Sequence, residues 1–202
     1  AMASPSHLFK FHMSEGGLRV PLIISGPGIK KGKNHNFAFV TDIAATLSDI
    51  VFDNVDERII GKSLQNSLAG TEEKNYLDSD SVGLEVTGNS ALFKGDFKIV
   101  RNRPPNGSNQ WELFNLSEDP GETINLATSM PNKLQELTGE YEAYAEKNGV
   151  IELPLEYEWA AEMTINTFKR NYLPLIWKAV FFIILVISLI VVFIRRWRNA
   201  KN

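Results

Sequence analysis

The side chains best suited to chemistry lie near the start of the chain, where His7, Lys10, His12 and Glu15 follow one another closely. His12 is near enough to Lys10 in sequence to line a pocket with it, although a surface histidine is the preferred interpretation. The only other histidine is His35. Because the chain has no cysteine, disulfide scaffolds, thiolate zinc sites and thiol nucleophiles are excluded.

The composition narrows the class of protein. A chain of 202 residues with 44% hydrophobic residues suits one compact domain with additional segments. Its net charge of -3 argues against a nucleic-acid-binding protein, which usually has a basic face. The chain does not begin with a basic segment and an apolar run, so no signal peptide is expected, and Ala1-Met2 suggests a piece of a longer protein.

The first half of the chain predicts part of an α/β layer. Residues 18–25 are apolar on both faces, which is typical of a buried strand, and residues 36–40 predict a second extended segment. Thr41 or Asp42 can cap a helix whose apolar positions recur as far as Val51. We expect this layer to be the edge of a larger sheet whose other strands lie outside the chain, which would leave apolar surface exposed.

The second half predicts an antiparallel meander with a helix across one face. Four short strands are predicted, at residues 81–86, 90–93, 97–101 and 110–115. Gly88-Asn89 and Gly95-Asp96 mark hairpins between them. A helix is predicted from Pro131 to Asn148, where Gly149 ends it. The expected core comprises Phe93, Phe97, Trp111, Leu134, Leu137 and Tyr141.

Residues 172–194 predict a transmembrane helix, because they are almost entirely apolar. A helix of about 23 residues rises roughly 34 Å, enough to cross a hydrocarbon core of about 30 Å. Lys178 lies near one end, where its side chain can reach the interface, and Tyr172, Trp177 and Trp197 suit an aromatic belt. A core helix rarely has so long an apolar run.

Basic residues beside the span predict its orientation. The segment before the span carries two basic residues, Lys169 and Arg170. The segment after the span carries four, which are Arg195, Arg196, Arg198 and Lys201. This bias favours a cytoplasmic C-terminus, with the main domain on the periplasmic or extracellular side.

The expected organisation has five parts. They are an α/β piece at 1–78, an antiparallel sheet with a helix at 79–150, a stalk at 151–171, the transmembrane helix at 172–194 and a cytoplasmic basic tail at 195–202.

Five stretches taken together resemble the sulfatase family, most closely its arylsulfatase group. They are EGGLRVP at 15–21, VTDIAATL at 40–47, GKSL at 61–64, ALFKGDFK at 91–98 and WELFNLSEDPGE at 111–122. Each alone is weak, but all five occur in the order the family has.

The resemblance implies a fold and a reaction. The fold is the C-terminal part of an alkaline-phosphatase-like α/β sulfatase fold, with a small antiparallel β subdomain plus helix, followed by one transmembrane helix. The reaction is hydrolysis of a sulfate ester by the complete enzyme. The membrane anchor is expected from the apolar C-terminal helix, and the absence of a nucleic-acid partner from the net charge. The alcohol or phenol that carries the sulfate is not indicated.

The resemblance assigns one catalytic position to this chain. Lys10 stands five residues before Glu15, where a lysine of the sulfatases contacts the sulfate group. An ammonium there stabilises the charge that develops as the ester bond breaks. Glu15 and Arg19 are expected to support the active-site loop as an ion pair, and Gly16 and Gly17 to permit close backbone approach.

The resemblance places the rest of the catalytic apparatus outside this chain. The family's formylglycine nucleophile arises from a Cys or Ser near the start of the enzyme. Its divalent metal, usually calcium, is held by acidic residues of that half and by an Asp-Asn pair before the E-G-G segment. No metal ligand is expected here, and the chain alone is expected to be inactive. Residues 3–7 (ASPSH) echo the nucleophile motif, but Ala3 occupies the nucleophile position and His7 replaces the arginine, so they are interpreted as a decoy.

Two other functions stay open from the sequence. One is a catalytically inactive, truncated sulfatase that acts as a membrane-tethered module. The other is a related enzyme acting on phosphate esters, although Lys10 together with EGGLRVP favours sulfate. Lys30, Lys31 and Lys33 could attract sulfated polymers, although a solvated turn is the preferred interpretation.

Overall fold

The structure is a computed structural model that describes residues 6–71 and 73–200. The chain divides into two compact units, at residues 1–152 and 153–202. The five-part division expected from the sequence stays a prediction. Ala3, Ser4 and Pro5 of the decoy motif and Lys201 of the basic tail lie outside the described residues.

A four-stranded antiparallel sheet forms the centre of the first unit, as the sequence predicts. Its strands follow chain order and are β1 (Ser81–Val86), β2 (Asn89–Lys94), β3 (Phe97–Arg101) and β4 (Glu112–Asn115). The first hairpin turns at Thr87 and Gly88, which both have positive φ, as a two-residue turn between twisted strands requires. Asn89 is therefore the first residue of β2 and not part of the turn.

One face of this sheet packs against a long helix. This helix, α4 (Pro131–Asn148), begins with proline and ends at Gly149 in the left-handed conformation, as predicted. Its Leu137 and Tyr141 are buried against residues from three strands, which are Leu92, Ile99 and Leu113. Packing around them are the predicted core residues Phe97, Trp111 and Leu134.

Phe93 does not belong to that core, so its prediction was wrong. Because side chains alternate along a strand, Phe93 points away from the face that Leu92 presents to α4. Its half-buried ring lies 5.1 Å from the ring of Phe37, and the Lys98 ammonium lies over it.

The strand predicted at residues 18–25 is absent. Leu18 ends a short helical turn, α1 (Glu15–Leu18), and the following residues are extended without a strand partner among the described residues. Val20 and Ile23 are 77% and 91% exposed. Residues 36–40 also form no strand. An apolar run indicates burial in a sheet, but a strand forms only where a neighbouring edge supplies its hydrogen bonds.

The predicted helix follows as α2 (Thr41–Phe52), and its buried side is unexpectedly polar. Asp42 is fully buried, and its carboxylate accepts hydrogen bonds from the amides of Phe39 and Lys62 and from the Tyr76 hydroxyl. Neither Thr41 nor Asp42 is the N-cap, which is Val40. The cap prediction was wrong because Asp42 lies within the first turn of the helix, from where its carboxylate accepts a hydrogen bond from the Phe39 amide. Another short helical turn, α3 (Gln65–Leu68), packs beside α2.

The second unit consists of two consecutive helices, α5 (Trp159–Asn171) and α6 (Leu173–Asn199). The helical stretch Trp159–Asn199 is long and apolar enough to cross a membrane. The predicted span at 172–194 lies inside it, and the polar segment predicted as a stalk includes α5. At about 1.5 Å per residue, α6 alone exceeds the thickness of a hydrocarbon core.

Candidate active-site loop

Lys10 lies in an exposed loop that precedes α1. Its Nζ atom is 5.3 Å from the centre of the Phe11 ring, and no carboxylate within residues 6–71 and 73–200 pairs with it. An unpaired ammonium on the surface can contact an anion without first breaking an ion pair. The structure therefore shows a lysine that is available, while its contact with sulfate stays a prediction.

Gly16 and Gly17 let the Lys10 loop fold closely onto α1. A Cβ atom at Gly16 would overlap the carbonyl oxygens of His7 and Leu8, and the Gly16 amide donates to His7 O at 2.9 Å. A Cβ at Gly17 would overlap the carbonyl oxygen of His12. Both positions exclude a side chain because backbone atoms, not mobile side-chain ends, fill the space.

The loop holds two non-glycine residues in the left-handed region. Leu8 has φ 60° and Phe11 has φ 77°, on either side of Lys10. Such conformations are uncommon for bulky residues and persist when surrounding contacts fix them. The Phe11 carbonyl supplies one such contact, because it accepts hydrogen bonds from Asn89 Nδ2 at 2.7 Å and from Thr87 Oγ1 at 3.2 Å.

His12 is buried, so the preference for a surface histidine was wrong. Asn106 Nδ2 lies 3.0 Å from Nε2 of His12, and Phe9 O lies 3.1 Å from Nδ1. Because the Asn106 amide donates, Nε2 accepts, and the proton is assigned to Nδ1, which donates to Phe9 O. His12 thus joins the Lys10 loop to the loop that follows β3, and does not line an open pocket.

Glu15, Lys98 and Glu122 form a buried ion triad. Lys98 Nζ donates to Glu15 Oε1 at 2.9 Å and to Glu122 Oε1 at 2.7 Å, and Lys98 is 0% exposed. The Glu15 amide also donates to Glu122 Oε2 at 2.8 Å. Each member comes from a different motif, namely EGGLRVP, ALFKGDFK and WELFNLSEDPGE. The triad therefore joins three distant stretches of the chain at the start of α1.

Sequence reasoning missed the roles of Lys98 and Glu122. Lys98 lies between Phe97 and Ile99, which face α4, so alternation assigns it to the opposite face. That face is covered by the N-terminal segment, since Met13 packs there with Val100. The motifs offered a signal: Lys98 is the last residue of ALFKGDFK, and Glu122 is the last residue of WELFNLSEDPGE.

Arg19 contributes less than expected. Its Nη1 lies 4.0 Å from Glu15 Oε2, at the limit of an ion pair, and its side chain is mostly exposed. Lys98, not Arg19, is the principal cationic partner of Glu15. The basic turn at Lys30, Lys31 and Lys33 is also exposed, which fits the preferred interpretation of a solvated turn.

The chain is similar in sequence to sulfatases. An uncharacterized sulfatase of Schizosaccharomyces pombe is 29% identical over 178 residues, covering 78% of this chain and 30% of the relative. Arylsulfatase K of Xenopus laevis is 28% identical over 140 residues, covering 64% of this chain and 26% of the relative. N-acetylgalactosamine-6-O-sulfatase of Bacteroides thetaiotaomicron is 26% identical over 144 residues, covering 64% and 28%. The chain thus spans less than a third of the length of these curated relatives. No protein-family model matches it.

A solved structure shares the fold. It comes from work on the metabolism of multiple glycosaminoglycans by Bacteroides thetaiotaomicron, and it superposes with a TM-score of 0.57 at 22% identity. The superposition covers 67% of this chain and 31% of the solved chain.

Proposed function

We propose, from the premise that this chain is related to sulfatases in sequence and in fold, that it is the C-terminal part of a membrane-anchored sulfuric ester hydrolase of the arylsulfatase type. The reaction would cleave the ester of a sulfate monoester with water, giving the free alcohol or phenol, sulfate and a proton.

One observation carries the proposal: Lys10 is exposed on a loop whose neighbouring residues are fixed by buried contacts. A sulfate monoester is an anion, and cleavage concentrates charge on the leaving oxygen. A fixed ammonium stabilises that charge more than the charge of the ground state, which lowers the barrier. Lys10 would supply this stabilisation.

The proposal assigns no divalent metal to the described residues. Within residues 6–71 and 73–200, no group of three or more His, Asp or Glu side chains is placed to hold a metal ion. No step is therefore assigned to a metal on this chain. The calcium and the formylglycine that the family resemblance implies would belong to residues preceding it in a longer protein.

The exposed apolar surface of the first unit supports such a longer protein. On α2, Ile43, Leu47 and Ile50 share one face and are all exposed, and Val20 and Ile23 add to the apolar surface. Soluble monomers rarely expose large apolar patches. The remaining strands of an α/β sulfatase domain would cover this surface.

The second unit supports a membrane anchor. α6 is apolar along most of its length and ends in Arg195, Arg196 and Arg198. If these arginines are cytoplasmic, the Lys10 loop meets only sulfate esters of the periplasm or the cell exterior. Two relatives carry the names arylsulfatase K and N-acetylgalactosamine-6-O-sulfatase, so aryl sulfates and amino-sugar sulfates are the first substrate classes to test.

The test is turnover of 4-nitrophenyl sulfate by the longest natural protein that contains these residues. Lys10→Ala is expected to lower kcat on the order of a hundredfold while the melting temperature is unchanged, the scale of removing one preorganised charge-stabilising donor. Lys31→Ala, which removes an exposed lysine of the basic turn, is the control and should retain full turnover.

Three outcomes would contradict the proposal. Full turnover by Lys10→Ala would remove the only catalytic assignment on this chain. Hydrolysis of 4-nitrophenyl phosphate but not of the sulfate would favour the phosphate-ester enzyme. No sulfate release by the wild-type protein, with aryl or amino-sugar substrates, would favour the inactive membrane-tethered module.

A further inference from the structure

The backbone that follows Lys10 is held by side chains of the β-sheet. Asn102 Oδ1 accepts a hydrogen bond from the Met13 amide at 2.9 Å, and Asn102 Nδ2 donates to Ser14 Oγ at 3.0 Å. Asn89 Nδ2 donates to Phe11 O at 2.7 Å, while its Oδ1 accepts from the Arg103 amide at 2.7 Å. Both carboxamides are almost fully buried.

These bonds use both ends of each carboxamide. Asn102 accepts from one residue of the loop and donates to the next, so its orientation is fixed, and Asn89 links Phe11 to the segment after β3. A buried hydrogen-bonding group is costly to leave unpaired. The loop therefore cannot move away from the sheet without breaking these buried hydrogen bonds.

The same loop stores conformational strain. Leu8 and Phe11 are both held at positive φ, on either side of Lys10. Each such residue is strained, so the conformation persists only because other contacts fix it. The Asn89 bond acts directly on the carbonyl of Phe11, one of the two strained residues.

We propose that Asn89 and Asn102 are positioning residues for Lys10: they make the sheet a template that fixes the loop, and hence the ammonium, in the geometry that acts on sulfate. The proposal rests on the proposed function, because positioning of Lys10 serves catalysis only if Lys10 acts on sulfate. Neither carboxamide contacts the substrate. Their effect is exerted through the backbone of residues 11–14.

The first experiment is amide hydrogen exchange on the full chain. Asn102→Ala is expected to lower the protection of the amides of residues 9–15 by tenfold or more, while β2 and β3 keep theirs. The control is Tyr141→Phe, which removes a buried hydrogen bond to Ser90 on the opposite face of the sheet, next to α4. Tyr141→Phe should leave the amide protection of residues 9–15 unchanged relative to that of the rest of the first unit. Unchanged loop protection in Asn102→Ala would overturn the proposal.

The second experiment is a double-mutant cycle on turnover in the longest natural protein that contains the chain. Asn102→Ala is expected to lower kcat tenfold or more with little change in KM, because a small misplacement of a catalytic group is costly. In a Lys10→Ala background the same change should lower kcat by less than twofold, since the group it positions is gone. Tyr141→Phe should leave kcat unchanged in both backgrounds.

The outcomes separate the two proposals. Equal losses from Asn102→Ala with and without Lys10 would overturn the positioning role, because the residue would then act independently of the lysine. A wild-type protein without sulfatase activity would overturn the proposed function, and with it the catalytic role of Asn89 and Asn102. Hydrogen exchange would still decide whether the carboxamides hold the loop.

Discussion

Lys98 Nζ lies 2.9 Å from Glu15 Oε1, joining the second residue of β3 to the first residue of α1 across 83 positions of sequence. Glu122 completes the triad at 2.7 Å. Such a cluster is costly to desolvate, and its net contribution to stability is smaller than the penalty for breaking it. Its structural consequence is that the segment beginning at Glu15 cannot detach from the sheet without exposing or stranding a charge.

Lys98→Met is expected to destabilise the first unit by about 3–5 kcal/mol, because it leaves the buried Glu122 without its cation and Glu15 with only the distant, exposed Arg19. The matched control is Lys94→Met. Lys94 also bridges two glutamates, Glu136 and Glu140, but those side chains are partly exposed, so the expected loss is about 1 kcal/mol or less. Urea unfolding of both variants measures the difference, and equal losses would show that the triad is not a buried unit.

How far the sequence predicts this fold depends on the range of the interactions. The strands and α4 follow from alternation and helical spacing, and they were predicted within a few residues. The triad depends on Glu15, whose partners lie 83 and 107 positions away, and no local pattern contains that information. The strand predicted at 18–25 failed for a related reason. Its apolar residues indicate burial, but the described residues contain no strand that pairs with it.

Gly17→Ala is expected to lower the free energy of unfolding by about 1–3 kcal/mol, because the added Cβ would overlap the carbonyl oxygens of His12 and Phe9. Gly139→Ala provides the control within α4, where an added Cβ meets no atom within 4 Å. Replacing that helical glycine should stabilise the protein by about 0.5–1 kcal/mol. Opposite signs in thermal or urea unfolding are the expected result, and a neutral Gly17→Ala would contradict the close packing of the loop.

Glu112 predicts a specific dependence of stability on pH. Burial raises its pKa above the usual 4.5, and the Glu122 carboxylate raises the pKa further, while His7 opposes the shift. A carboxyl group whose pKa is higher in the folded state binds its proton more tightly there. Its contribution to stability is therefore present below pH 4.5 and is lost as the pH rises through the raised pKa.

Glu112→Gln removes the ionisable carboxyl group, and with it the loss of stability that occurs as the pH rises. The variant is expected to melt at a higher temperature than the wild-type protein at pH 7, with the difference vanishing as the pH falls below about 4.5. Glu118→Gln, at an exposed position after β4, is the control and should show the same small difference at both pH values. A gain for Glu112→Gln that does not depend on pH would contradict the assignment to burial of its carboxylate.

The membrane anchor is tested most directly at the centre of α6. Replacing Leu185 and Ile187 by arginine should release the protein from membranes during carbonate extraction, because each charge at the middle of a span costs about 3 kcal/mol. Asn199→Arg, at the end of the helix, should leave the protein bound.

Because the chain has no cysteine, single cysteines at Lys31 and at Asn199 can then report its orientation. In intact cells a membrane-impermeant maleimide should label Lys31→Cys and not Asn199→Cys. The reverse pattern would place the Lys10 loop in the cytoplasm and overturn the proposed orientation, and labelling of both in a protein that carbonate removes would overturn the anchor itself.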